Sequence, residues 1–119
     1  MNQTEGVLNN NDFCNSNIRA IHDTMYVIGG KWKISIVACL GYRPMRFSEL
    51  LREVEGIAGK VLSRELKDME TNQLIVRKVL DTKPISVLYH LTEYGKTLEE
   101  LTLTIAEWGK THRKQIIGK

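Results

Sequence analysis

Apolar residues recur along the chain with two different periods. Ile18, Ile21, Met25 and Ile28 step by three, four and three positions, one stripe of a helix. Asn15 or Ser16 is placed to cap it and Gly29-Gly30 to stop it. A second helix is predicted from Trp32 to Leu40 with Gly41 as terminator. Trp32, Ile36 and Leu40 share one side, while Ile34, Val37, Ala38 and Cys39 make the others apolar, the pattern of a central helix. Pro44 bars its continuation. Met45-Arg46-Phe47 reads as a short strand. Ser48 reads as the cap of a third helix that turns Leu50, Leu51 and Val54 inward. Gly56 supplies a tight turn. A fourth helix follows from Ala58 to Thr71, with Asn72 as its stop.

Beyond Asn72 the period falls to two. Leu74 to Leu80 is rich in β-branched residues, Asp81-Thr82-Lys83-Pro84 is turn chemistry, and Val87, Tyr89 and Leu91 alternate within Ser86 to Thr92. Together they predict an antiparallel hairpin. Thr92 then caps a long last helix carrying Leu98, Leu101, Ile105 and Trp108 on one stripe, with Lys110, Arg113 and Lys114 near the end where cations complement the helix dipole. Residues 1–13 show no period and read as a flexible tail, leaving residues 14–119 as one domain. The fold class expected is mainly α with a small antiparallel β wing, a winged helix-turn-helix.

The fourth helix carries the candidate chemistry. At about 100° per residue, Lys60, Ser63, Arg64 and Lys67 fall within an arc of about 100°, and Leu62, Leu66 and Met69 fall opposite. One side packs into a core while the other presents cations and a hydroxyl. Such a face suits a major groove, where Lys and Arg reach phosphates and pair with guanine O6 and N7. Ala58 and Gly59, nearly without side chains, let the helix start approach a duplex, where free N–H groups favour phosphate. Arg77, Lys78, Lys83 and His90 lie in the hairpin, with Lys83 at its tip.

Charge placement sharpens this picture. Residues 1–30 hold one basic and three acidic residues, the remainder 16 basic and 11 acidic. The positive excess therefore lies in residues 31–119, the part that holds the predicted folded elements. The chain has 119 residues, 42% apolar and 26% charged, an ordinary globular composition. No apolar run reaches the roughly 18 residues of a membrane span, and the first residues lack the pattern of a secretory signal. Cys14 and Cys39 form no CxxC pair, which argues against a disulfide scaffold or thiolate zinc site and fits a reducing cytoplasm. His22, His90 and His112 are scattered. No metal or cofactor is expected. With no nucleophile–base pair and no phosphate loop, an enzyme has nothing to build on. Two function classes stay open on the residues alone: a regulator that binds double-stranded DNA, and a winged helix used only for protein contacts, in which the basic face is a solubility device.

Several stretches resemble the HxlR-type winged helix-turn-helix transcription regulators. They are Val27-Ile28-Gly29-Gly30-Lys31-Trp32-Lys33, Arg46-Phe47-Ser48-Glu49-Leu50, Gly56-Ile57-Ala58-Gly59-Lys60-Val61-Leu62-Ser63, Leu66 through Glu70 into Asn72-Gln73-Leu74-Ile75, Tyr89-His90-Leu91-Thr92-Glu93-Tyr94-Gly95, and Glu107-Trp108-Gly109. The resemblance runs from about Cys14 to Arg113. It implies a cytoplasmic, homodimeric bacterial repressor or activator on a pseudo-palindromic operator. The recognition helix maps onto Ala58 to Thr71 and the wing onto Leu74 to Thr92. The dimer interface maps onto Ile18, Ile21 and Met25 of the first helix and Leu98, Leu101, Ile105 and Trp108 of the last. Many members sense electrophiles or oxidants through an N-terminal cysteine, and Cys14 is the candidate here, on the expectation that it stands just before a helix N-terminus. Cys39 is expected to be inert core. Ala58 stands where the family usually has Ser or Thr, so operator preference does not transfer.

Overall fold

A computed structural model describes residues 10–118. These divide into two compact units, one ending at Gly30 and one beginning at Lys31. Of the predicted tail, residues 1–9 lie outside the described residues.

The first unit is the helix α1, Asn10–Ile28. It starts earlier than the apolar stripe indicates. Residues 10–13 are helical rather than tail, and Asn15 and Ser16 lie inside the helix instead of capping it. Once a helix is nucleated, adding residues at its start costs little, and Asp12 in the first turn complements the dipole. Gly29-Gly30 ends it as expected.

The second unit opens with α2, Lys33–Tyr42, whose Ile36, Val37 and Leu40 are buried. Gly41 is within this helix and does not terminate it. The stop comes from Pro44, which excludes helical backbone at the preceding residue, so Arg43 is extended. The strand predicted at Met45–Phe47 is reduced to one residue: Met45 exchanges two backbone hydrogen bonds with Tyr89, of 3.1 and 2.8 Å. Helix α3, Phe47–Glu53, begins at once. Its cap is Arg46 rather than Ser48, and the Arg46 N–H donates to Glu49 Oε1 at 2.8 Å. That bond, with the Arg43 guanidinium at 3.3 Å, holds the Glu49 carboxyl below the usual carboxylate range. Leu50 and Val54, four apart, are buried, but Leu51 lies about 100° off their direction and is exposed. Gly56 then turns the chain at a φ of 89°, in the left-handed region.

Helix α4, Gly59–Thr71, matches its predicted span almost residue for residue. It closes in a Schellman arrangement: Leu74 N–H donates to Met69 O at 2.9 Å and Gln73 N–H to Glu70 O at 3.0 Å. The left-handed residue is Gln73, with φ 64°, one position past the predicted stop at Asn72. The hairpin pairs β1, Ile75–Leu80, with β2, Ser86–Leu91, in register from Ile75↔Leu91 to Leu80↔Ser86.

The long last helix is interrupted. Thr92 caps only the short α5, Glu93–Lys96, accepting from Gly95 N–H at 2.8 Å. The Thr92 hydroxyl donates to Gln73 O at 2.7 Å, tying the end of α4 to the return of the hairpin. Gly95 presses so closely on the backbone of Leu74 that a Cβ there would lie 2.0 Å from the carbonyl oxygen. The helical path resumes in α6, Glu99–Ile117. The core under the hairpin and α4 consists of Ile36, Val37, Leu40, Met45, Leu50, Val54, Ile57, Leu62, Leu66, Met69, Leu74, Ile75 and Leu91.

Candidate nucleic-acid interface

Helix α4 is held by its apolar side. Leu62, Leu66 and Met69 are buried, as the projection requires, so their opposite neighbours face outward. Lys60, Ser63, Arg64 and Lys67 are all exposed. At the start of the helix Ala58 is exposed, in extended backbone, and provides no side-chain cap; no acid stands in the first turn. The first N–H groups of α4 therefore keep the positive end of the dipole unneutralised, which suits a phosphate.

Two of the three carboxylates of α4, Glu65 and Asp68, are held by a residue far away in sequence. Lys33, on the first turn of α2, places Nζ 2.6 Å from Glu65 Oε1 and 3.0 Å from Asp68 Oδ2, with its own side chain only 11% exposed. Burial alone would push the Lys33 pKa down. The hydrogen bonds and charges of Glu65 and Asp68 outweigh that and raise it. Among the described residues no salt bridge joins Lys60, Arg64 or Lys67 to a carboxylate.

The hairpin adds a cation to this face. A groove of about 210 Å³ between α4 and the sheet is lined by Ser63, Leu66, Lys67, Glu70, Arg77 and Tyr89. It brings Arg77, midway along β1, beside Lys67 and Ser63. Lys83 is exposed at the loop beyond the last pair, Leu80↔Ser86, and is not part of this cluster. Three strand residues separate Arg77 from the end of β1, roughly 10 Å of strand. The sequence marks Arg77 only as one of several hairpin cations; its proximity to Lys67 depends on the register.

The apolar stripes of the two terminal helices face outward. Ile18, Ile21 and Met25 of α1 are exposed, as are Leu101, Ile105 and Trp108 of α6; Leu98 is half-buried. Trp108 stacks on His112 with ring centroids 5.0 Å apart. Cys14 is exposed, and it lies in the second turn of α1 instead of just ahead of the helix, the expected position. Cys39 is half-buried, and burial together with the Glu53 charge pushes its thiol pKa up, the setting of an unreactive thiol. Among the described residues no cluster of His, Cys, Asp and Glu can hold a metal ion. None of their helices is long and apolar enough to cross a membrane.

A helix fixed by its apolar side beneath a two-stranded wing, with its cations turned out, is the winged helix-turn-helix arrangement. The chain belongs to the HxlR-like helix-turn-helix family, whose sequence model matches residues 27–117. It is 36% identical over 99 residues to YtcD of Bacillus subtilis, an HTH-type transcriptional regulator, covering 83% of this chain and 79% of YtcD. The solved structure of YtcD superposes with a TM-score of 0.73 at 38% identity, covering 77% of this chain and 94% of that one. The reduced form of the redox regulator HypR superposes with a TM-score of 0.77 at 33% identity, covering 84% of this chain and 99% of that one.

Proposed function

We propose that this HTH-type transcription regulator acts as a homodimer that reads a pseudo-palindromic DNA operator with α4 and steadies it with the hairpin. The observation that carries this reading is the exposed, unpaired set Lys60, Arg64 and Lys67 on the side of α4 opposite its buried leucines. In this reading Arg64 and Lys67 reach base edges or phosphates, Lys60 and the N–H groups beyond Ala58 and Gly59 hold phosphate, and Ser63 contributes a hydroxyl. Arg77 joins them from the wing base, and Lys83 reaches the flanking backbone. The dimer forms through Leu98, at the cap of α6, and Leu101, Ile105 and Trp108 of α6, with Ile18, Ile21 and Met25 of α1. Apolar stripes left in water are what a two-fold contact covers.

The test is selection of duplexes from a randomised pool. Two half-sites about one helical turn apart are expected. With three or four cations per subunit on phosphate, the log–log salt dependence of binding should have a slope of roughly −5 to −7. A pool that yields no enriched sequence, or binding indifferent to salt, overturns the reading.

We also propose a thiol response at Cys14. Its support is the exposure of the thiol and the likeness to HypR, a redox regulator. Diamide should alter operator binding by the parent and leave Cys14→Ser unaffected; an identical response in both removes Cys14 as the switch.

A further inference from the structure

We infer that Lys33 is a positioning residue for DNA binding: by holding Asp68 and Glu65 it keeps the Arg64 guanidinium free for the duplex. This rests on the reading of α4 as the recognition helix. Arg64 and Asp68 stand four apart on one helix, the spacing at which oppositely charged side chains meet. Left alone, Asp68 is the nearest carboxylate of α4 in reach of Arg64 along the helix. In the structure Asp68 Oδ2 is instead 3.0 Å from Lys33 Nζ, and Arg64 has no ion-pair partner among the described residues. Arg64, Lys67, Lys33, Glu65, Asp68 and Thr71 line one shallow groove on the flank of α4, so the competing charges are neighbours in space as well as on the helix.

Geometry favours Lys33 in this competition. It sits on the first turn of α2, a helix fixed by the buried Ile36, Val37 and Leu40. Its side chain is nearly enclosed, and Glu65, also mostly enclosed at 15% exposure, shares its ammonium. The partly buried Lys33–Glu65 pair resists screening by salt and fixes the ammonium beside the half-exposed Asp68, whereas an exposed pair within one helix is readily exchanged. Glu65 and Asp68 thus spend their charge on the scaffold rather than on Arg64. Lys33 touches no DNA in this account; it acts through Arg64.

The experiment measures affinity for a duplex selected by the parent protein, alongside thermal unfolding of each variant. Lys33→Met should weaken binding on the order of tenfold, the scale of losing one charged contact to DNA, and should reduce the magnitude of the salt slope by about 0.9 for each subunit. Lys33→Arg should bind like the parent. The deciding variant is Lys33→Met with Asp68→Asn. It removes the competitor for Arg64 and should restore affinity, although the contact between α2 and α4 is still missing and the melting temperature stays low. A merely structural role for Lys33 would leave this double variant as weak as Lys33→Met. Parent-like binding by Lys33→Met while Arg64→Ala is weak overturns the inference and leaves the recognition helix in place. Parent-like binding by Arg64→Ala overturns both.

Discussion

Helices α4 and α6 are both amphipathic, and their apolar sides meet opposite fates. On α4 the apolar residues Leu62, Leu66 and Met69 disappear into the core of the same chain. On α6 the corresponding stripe stays in water, with Leu101, Ile105 and Trp108 exposed by 37, 43 and 68%. A helix whose apolar side is satisfied internally has only its polar face left to act with. For α4 that face is basic. A helix whose apolar side is unsatisfied has a surface that excludes water only when another molecule arrives. One fold thus carries two exposed surfaces of different chemistry, a charged one and an oily one, which the proposed function gives to DNA and to a second copy.

The contrast can be broken at either helix. Leu62→Ala on α4 should cost about 2–5 kcal/mol of folding stability, the range for truncating a buried leucine, measured by urea unfolding. Leu101→Ala on α6, a side chain already 37% exposed, should cost the isolated monomer clearly less, about 1 kcal/mol. Equal losses would mean that the two stripes are not different in kind. Ile105→Glu puts a charge on the proposed contact and should shift the protein from dimer to monomer in sedimentation equilibrium. A dimer that survives it does not use this stripe.

A smaller effect concerns the charges that fasten α4. The raised pKa of Lys33 means that its stabilising contribution is complete below the ordinary lysine pKa of about 10.4 and is lost as the pH rises through the raised value. The stability gap between the parent and Lys33→Met should therefore be constant through neutral pH and narrow in strong alkali as the ammonium is lost. A gap that closes near pH 8 contradicts the ion pair. The smallest effect is local: Gln73→Gly relieves a left-handed side-chain residue at the end of α4 and should add about 0.5–1 kcal/mol, with DNA affinity unchanged.

What the sequence discloses and what it withholds follow from the range of the interactions. The span of α4 and its two faces are legible because the preceding tight turn, the period and the stop all lie within one short stretch. The hairpin is legible for the same reason, since its alternation surrounds its own turn. The start of α1 is not, because the polar residues from Asn10 onward carry no apolar marker of helix. The break between α5 and α6 is hidden too. Close by, Gly95 packs against the Leu74 carbonyl, a contact between segments that the hairpin separates. The same limit hides Lys33. Its partners are Glu65 and Asp68, and from sequence it is one more cation next to Trp32. Arg77 joins the site through strand register and the groove to Lys67, neither of which composition reveals.

The most direct measurement is operator binding by the double variant Arg64→Ala with Lys67→Ala, with circular dichroism as the control for folding. Both side chains are exposed, so the spectrum should match the parent while affinity falls by about a hundredfold or more, two charged contacts in each subunit having been removed. Undiminished affinity with an unchanged spectrum would mean that the outward cations of α4 do not touch DNA.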